Sequence, residues 1–165
     1  MIIAIAAVAK DWGIGKQNGL LFKLPDDLKF YKNQTEGNIV VMGYNTLLSL
    51  PKAKPLPNRV TIVLCPEGVE PEGCIVYHKF EKLVKDLKIL SAQYNIYVSG
   101  GATLYYSLLS FCDKCLITQV DATDPEATAF FPNLDRSKNF EVVYTGDIRE
   151  DNGYLTQLVE YQRRK

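Results

Sequence analysis

Short apolar runs alternate along this chain with segments of helical period, and that alternation constrains the fold more than any other feature. Apolar runs of about 4–8 residues bounded by turn residues mark strands buried on both faces, and helices between them allow the strands to lie parallel. The predicted strands are Ile2 to Ala9, Ile39 to Met42, Val60 to Leu64, Ile75 to Tyr77, Ile96 to Ser99 and Leu116 to Val120. The predicted helices are Leu24 to Thr35, Asn45 to Leu50, Glu81 to Ala92 and Thr103 to Ser110. Toward the C-terminus the pattern changes. Phe140 to Thr145 and Tyr154 to Tyr161 are strand-like and flank the turn signal Asp151-Asn152-Gly153, which predicts a closing antiparallel hairpin. No Pro/Gly/Ser-rich linker interrupts the 165 residues. The expectation is one α/β domain over residues 1–165, with a central, mostly parallel mixed sheet flanked by helices.

Charge narrows the partners. Lysine plus arginine and aspartate plus glutamate both number 19, so no basic excess favours a phosphate backbone and nucleic acid is not expected. The apolar start Met1 to Ala9 lacks a basic leader, is too short to span a bilayer and runs into Lys10 and Asp11, so it reads as a buried strand. Cys65, Cys74, Cys112 and Cys115 come without a secretory signal, which suggests reduced thiols and a cytoplasmic protein. Cys112 and Cys115 have the spacing of half a zinc site. The other two cysteines do not, and His78 is the only histidine, so no metal is expected.

One acid sits on the wrong side of a helix. Asp27 follows Leu24 by three residues and precedes Tyr31 by four, which places it on the apolar stripe. The plain reading is that both are first-turn acids favoured by the helix dipole; Asp26, which can face water, fits it well and Asp27 fits it less well. An ionised carboxylate at the edge of an apolar cleft offers two acceptor oxygens, which match a ligand presenting adjacent N–H donors, such as the edge of a 2-amino-4-oxo pterin.

Two strand-to-helix turns suit an anion. In Ser99-Gly100-Gly101-Ala102-Thr103, backbone N–H groups at the helix start and close approach through the glycines form a site for a pyrophosphate. The plain alternative is a tight turn; adjacent glycines also tolerate a strained or cis peptide. Val41-Met42-Gly43-Tyr44-Asn45-Thr46 repeats the layout. The dinucleotide fingerprint G-x-G-x-x-G is absent, because Gly13 and Gly15 have no third glycine at the required spacing. With Gly19 they make Asp11 to Phe22 read as a long flexible loop of the kind that forms active-site lids.

Gly13-Ile14-Gly15, Asn18 and Leu24-Pro25-Asp26-Asp27-Leu28 together resemble the opening signature of the dihydrofolate reductase family. Val41-Met42-Gly43 with Thr46, Pro55-Leu56-Pro57-Asn58-Arg59, Gly100-Gly101-Ala102 with Tyr105, then Thr118 and Phe130-Phe131-Pro132 continue the resemblance in order across essentially the whole chain. It implies the fold of that family and reduction of 7,8-dihydrofolate to 5,6,7,8-tetrahydrofolate with NADPH, in support of one-carbon and thymidylate metabolism, by a monomer. The resemblance assigns Asp27 to the pterin edge and to promoting protonation at N5, with Thr118 supporting it and Phe22 and Leu20 in the lid beside it. Arg59 would grip the α-carboxylate of the glutamyl tail and Lys32 would add attraction, although a surface arginine after a turn and a solvated lysine are the plain alternatives. Ile5, Leu28, Tyr31, Leu50, Leu56 and Ser99, with Leu20, would wall the substrate cleft. Ala7, Ile14, Gly15, Asn18, Gly19 and Leu20 would cover the nicotinamide. Gly43, Tyr44, Asn45, Thr46 and the run Gly100, Gly101, Ala102, Thr103, Leu104 and Tyr105 would hold the pyrophosphate and riboses, with Leu64, Cys65 and His78 at the adenosine end.

Several positions depart from the family pattern. Phe22 stands where a tryptophan is usual and Leu21 where a proline is. Tyr44 replaces an arginine, and Pro66 a serine or threonine, that would meet the adenosine 2′-phosphate. These two leave NADH as an alternative, with His78 as a compensating group. Thr128-Ala129 lacks the acid expected to steady a closed lid. Two rival readings are another reductase of the same fold, acting on a different pterin or on a pyrimidine of riboflavin synthesis, and a non-catalytic ligand-binding member. Asp27 and Arg59 together speak against the first; Tyr44 and Pro66 keep the second open.

Overall fold

A computed structural model describes residues 1–17 and 19–165. The strands are β1 (Ile2–Val8), β2 (Gly13–Lys16), β3 (Gly19–Leu20), β4 (Ile39–Gly43), β5 (Val60–Leu64), β6 (Ile75–Tyr77), β7 (Ile96–Val98), β8 (Lys114–Val120), β9 (Ala129–Phe130), β10 (Phe140–Thr145), β11 (Arg149–Asp151) and β12 (Tyr154–Arg163). The helices are α1 (Pro25–Thr35), α2 (Tyr44–Ser49), α3 (Phe80–Leu90) and α4 (Ala102–Leu108). The main sheet runs β10-β12-β8-β1-β7-β4-β5-β6, with β11 added alongside β12. From β8 to β6 every neighbouring pair is parallel, and β12 and β10 close the other edge antiparallel. The expected mostly parallel mixed sheet with an antiparallel C-terminal hairpin is therefore present.

The period of two along a strand distributes β1 between two cores. Ile2, Ala4 and Val8 join Leu83 and Leu87 of α3 and Leu104 and Leu108 of α4 on one face. Ile3 and Ile5 join Val40, Met42 and Leu47 of α2 on the other, with Phe30 and Tyr31 of α1 packed against them. Burial on both faces explains why these strands read as unbroken apolar runs. Each such side chain contributes about 1.5–3 kcal/mol. Leu116 lies in the second core, so Thr118, two residues on, faces the α1 side, and the sheet delivers its hydroxyl to that helix.

Two local features differ from the sequence reading. The segment read as a flexible loop contains β2 and β3, and β2 pairs with β3 on one side and β9 on the other to form a separate small sheet. The tight turn at Asn152 and Gly153, both at positive φ, joins β12 to the short β11 and not directly to β10.

Candidate active site

The candidate residues gather at the C-terminal ends of the parallel strands, where open α/β sheets place ligands. Helix α1 forms one wall. Pro25 occupies its first turn, and Leu24, at the capping position, is buried and supplies no side-chain cap. Three residues beyond Leu24, Asp27 is half-buried, and Thr118 donates its hydroxyl to Asp27 Oδ1 at 2.6 Å. Burial pushes the Asp27 carboxyl above the usual carboxylate range; the Thr118 hydrogen bond works against this and the charge of Asp151 adds to it. The result is a carboxyl whose proton is exchangeable nearer to neutrality than that of an exposed aspartate, with one oxygen fixed.

Farther along α1, the Tyr31 hydroxyl is 2.8 Å from Ser99 Oγ at the end of β7, which ties the helix to the crevice floor. Leu28 and Lys32 are exposed on the same helix, Ile5 is buried beneath it, and Leu50 and Leu56 are half-buried. Arg59 is more constrained than a surface arginine. Its Nε donates to the Pro57 carbonyl at 2.9 Å and its Nη1 to the hydroxyl of fully buried Thr35 at 2.8 Å. The guanidinium is thus held at the C-terminal end of the helix that carries Asp27.

The glycine turns meet each other. Gly43 N–H donates to the Gly100 carbonyl at 2.9 Å, and the Gly100–Gly101 peptide is cis. A Cβ on Gly43 would lie 3.9 Å from Gly100 O and Gly101 N, and one on Gly101 would lie 3.4 Å from Thr46 Oγ1. Neither α2 nor α4 has a side-chain cap, so their first N–H groups border one shared cradle. Such a pair of uncapped, glycine-lined helix starts fits the pyrophosphate of a dinucleotide. Tyr44, Thr46 and Ala102 are half-buried at its edge, and Asn45 and Thr103 are exposed.

Leu104 and Tyr105 sit differently from their neighbours in that run, because both side chains are in the core. Tyr105 donates to the Ile5 carbonyl at 2.7 Å, packs against Phe131 at 4.7 Å between ring centroids, and underlies Gly100. Cys65 is likewise buried, and Leu64 is half-buried. His78 bridges the Cys65 carbonyl at 3.1 Å and Glu70 Oε1 at 2.6 Å; the Glu70 hydrogen bond, then the backbone one, raise its pKa.

The lid is anchored by backbone pairing. Gly13 and Gly15 of β2 pair with Phe130 and Ala129 of β9, and Thr128 N–H donates to Gly15 O at 2.9 Å. Lys16 adds an ion pair with Asp124 at 2.6 Å. Ile14 packs against the core, Ala7 is half-buried, Gly19 and Leu20 are exposed, and Phe22 stacks at a tilt on Tyr154 with centroids 4.9 Å apart. Asn18 lies outside the described residues. All four cysteines are free, and burial pushes Cys112 up to about 12. Among the described residues no three His, Cys, Asp or Glu side chains converge as metal ligands.

Sequence reasoning missed Asp151, which reaches α1 from the C-terminal hairpin. Its carboxylate accepts the N–H groups of Asp26 at 3.1 Å and Asp27 at 3.0 Å. The only sequence signal was an acid in a turn motif, which says nothing of a partner on the far side of the chain.

An α/β sheet with a two-turn anion cradle beside a half-buried acid defines a nucleotide-using enzyme that handles a proton on a small ligand. The sequence model described as dihydrofolate reductase matches residues 1–163. A dihydrofolate reductase of Bacillus subtilis is 33% identical over 168 residues, covering 99% of this chain and 95% of the relative. One from Buchnera aphidicola is 37% identical over 133 residues, covering 79% and 78%. Among solved structures, dihydrofolate reductase from Enterococcus faecalis complexed with NADP(H) and RAB-propyl superposes with a TM-score of 0.87 at 33% identity, covering 100% of this chain and 97% of that one. The chain belongs to the dihydrofolate reductase family, and it is an oxidoreductase.

Proposed function

We infer that this chain reduces 7,8-dihydrofolate to 5,6,7,8-tetrahydrofolate with NADPH. The observation that carries the reading is the Asp27 carboxyl, set on the apolar side of α1 and held by Thr118. When bound, the nicotinamide supplies a hydride for C6 of the pterin, chemistry that belongs to the cofactor.

The chain's own residues bind, orient and handle the proton. Asp27 accepts the paired N–H donors of the pterin edge, and its raised proton affinity favours delivery of a proton to N5. Thr118 fixes one carboxyl oxygen, so the other is free to turn toward the ring. Ile5, Leu28, Tyr31, Leu50, Leu56 and Ser99 hold the ring in an apolar slot. Arg59, pre-oriented by Pro57 and Thr35, takes the α-carboxylate of the glutamyl tail, with Lys32 nearby. The cradle of Gly43 to Thr46 and Gly100 to Thr103 holds the pyrophosphate and riboses, and Leu104 and Tyr105 support it from the core. Ala7, Ile14, Gly15, Gly19 and Leu20 cover the nicotinamide, and Phe22 provides the aromatic bulk at the lid stem. Tyr44, Leu64, Cys65, Pro66 and His78 line the adenosine end and set the choice between NADPH and NADH.

Among the described residues no helix is long and apolar enough to cross a membrane. Free thiols support a cytoplasmic location, balanced charge speaks against a nucleic-acid partner, and a monomer follows from the family resemblance.

The test is loss of reduced-nicotinamide absorbance when purified protein meets dihydrofolate and NADPH, with NADH alongside. Consumption that requires both substrates is expected. No consumption with either cofactor would contradict the reading and leave a binding protein.

A further inference from the structure

The first turn of α1 has an accounting problem that the local sequence does not solve. A helix begins with orphan N–H groups, normally met by a Ser, Thr, Asp or Asn at the capping position. Here that position is Leu24, which has no polar atom to offer. Pro25 removes one donor, and Leu28 N–H finds the Leu24 carbonyl at 3.0 Å. The two remaining donors, on Asp26 and Asp27, both go to Asp151, one to each oxygen, at 3.1 and 3.0 Å. Asp151 is 5% exposed and lies more than a hundred residues away along the chain. It is a cap supplied in trans.

The same hairpin tip grips the rest of the lid stem. Asn152 Nδ2 donates to the Lys23 carbonyl at 2.9 Å, and Tyr154, paired across the turn with Asp151, carries the Phe22 ring. Phe22, Lys23, Asp26 and Asp27 are thus held by Tyr154, Asn152 and Asp151 of one hairpin tip. We propose that Asp151 is a positioning residue for the reaction, mounting the catalytic acid Asp27 through the backbone of its helix and placing a second negative charge beside it. The inference deepens the reading of Asp27 given above and rests on it.

The groups around Asp27 show which neighbour can tune it. From β8 comes the Thr118 hydroxyl, from α4 the Tyr105 phenol, along α1 the Tyr31 phenol, and from β11 Asp151. Burial pushes both phenols up, so they remain neutral through the working range. On α1 and the lid stem, Lys23, Asp26, Lys29 and Lys32 are exposed, and Arg59 is committed to Thr35 and Pro57. Asp151 is therefore the charged group that acts on Asp27 from another element, and its charge makes Asp27 harder to ionise. Removing that charge makes Asp27 ionise more readily, so the protonated form is lost at lower pH.

The test compares the pH profile of the pre-steady-state rate of NADPH oxidation by dihydrofolate in wild type, Asp151→Asn, Tyr161→Phe and Asp27→Asn. Tyr161→Phe removes a buried hydroxyl bond to Asp135 elsewhere and serves as the control for a general loss of stability. The expected result is that the falling limb moves to lower pH in Asp151→Asn and stays in place in Tyr161→Phe. The rate of Asp151→Asn in acid, where protonated Asp27 is common to it and wild type, falls only by the loss of the mount, since asparagine accepts from one of the two amides, and the position of the limb is read independently of that amplitude. An unmoved limb, with Asp27→Asn still defective at neutral pH, would overturn the inference and leave the role of Asp27 intact. An undiminished neutral rate in Asp27→Asn would instead overturn the underlying reading. Should Asp151→Asn not fold, hydrogen exchange on wild type decides: Asp26 and Asp27 amides must be protected, unlike ordinary first-turn amides, and fast exchange at both would overturn the trans cap.

Discussion

Replacing Arg59 by lysine separates gripping the substrate's tail from reacting at its ring. The guanidinium spends its Nε on the Pro57 carbonyl and one Nη1 donor on Thr35 Oγ1, at 2.9 and 2.8 Å. That leaves an edge able to make two parallel bonds to a carboxylate. A lysine keeps the charge, but it has no planar fork and loses the two bonds that orient it. A hydrogen bond to a charged partner is worth about 1.5–3 kcal/mol, so losing one of the pair raises KM for dihydrofolate roughly 10- to 150-fold. Arg59 is only half-buried, which favours the lower end at high salt. The turnover number should hold within about threefold, since the lost contact serves ground state and transition state alike. Steady-state kinetics with dihydrofolate, run beside a dihydropterin that lacks the glutamyl tail, measures both. A kcat that falls in step with kcat/KM, or an equal loss on the tail-less substrate, would refute the assignment. Thr35→Val should give a smaller change in the same direction.

Three further outcomes follow from particular contacts. Tyr105→Phe strands the buried Ile5 carbonyl and should cost about 1–3 kcal/mol in urea denaturation, as a shift of midpoint at constant m. Gly15→Ala places a Cβ 2.7 Å from the Gly19 carbonyl, so β2 and β3 must separate; turnover should fall while the melting temperature, set by the main sheet, changes by only a few degrees. Asp27→Asn should be more stable than wild type at neutral pH. The Asp27 pKa is raised on folding, so the stability it contributes is intact below the unfolded value near 3.8 and lost as pH rises through the folded value. The advantage of the asparagine variant therefore grows across that window and then levels off, which thermal melts at several pH values will read.

What was legible in the sequence follows from what each element buries. The central strands could be read because both faces are covered, which makes Val40 to Met42 or Ile96 to Val98 continuously apolar. Asp27 could be read because a charge at helical spacing between Leu24 and Tyr31 breaks an apolar stripe. By contrast, β2 is Gly-Ile-Gly-Lys, too short and too rich in glycine to show a period, and its pairing depends on β9 more than a hundred residues later. The strand β11 is three charged residues, stabilised by β12 beside it. Leu104 and Tyr105 follow the glycine turn in sequence, yet the helical period swings them into the core. Asp151 was the least legible of all, since Asp-Asn-Gly describes a turn fully without the two amides that its carboxylate collects.

The most direct measurement of the central claim is the pH dependence of the hydride-transfer rate in wild type and Asp27→Asn. Wild type should lose rate as pH rises through the elevated Asp27 pKa. The variant should be slower by about 10²–10⁴-fold at neutral pH and recover toward wild type in acid, where solvent protonates N5. A variant as fast as wild type at neutral pH, with the same profile, would remove Asp27 from the chemistry.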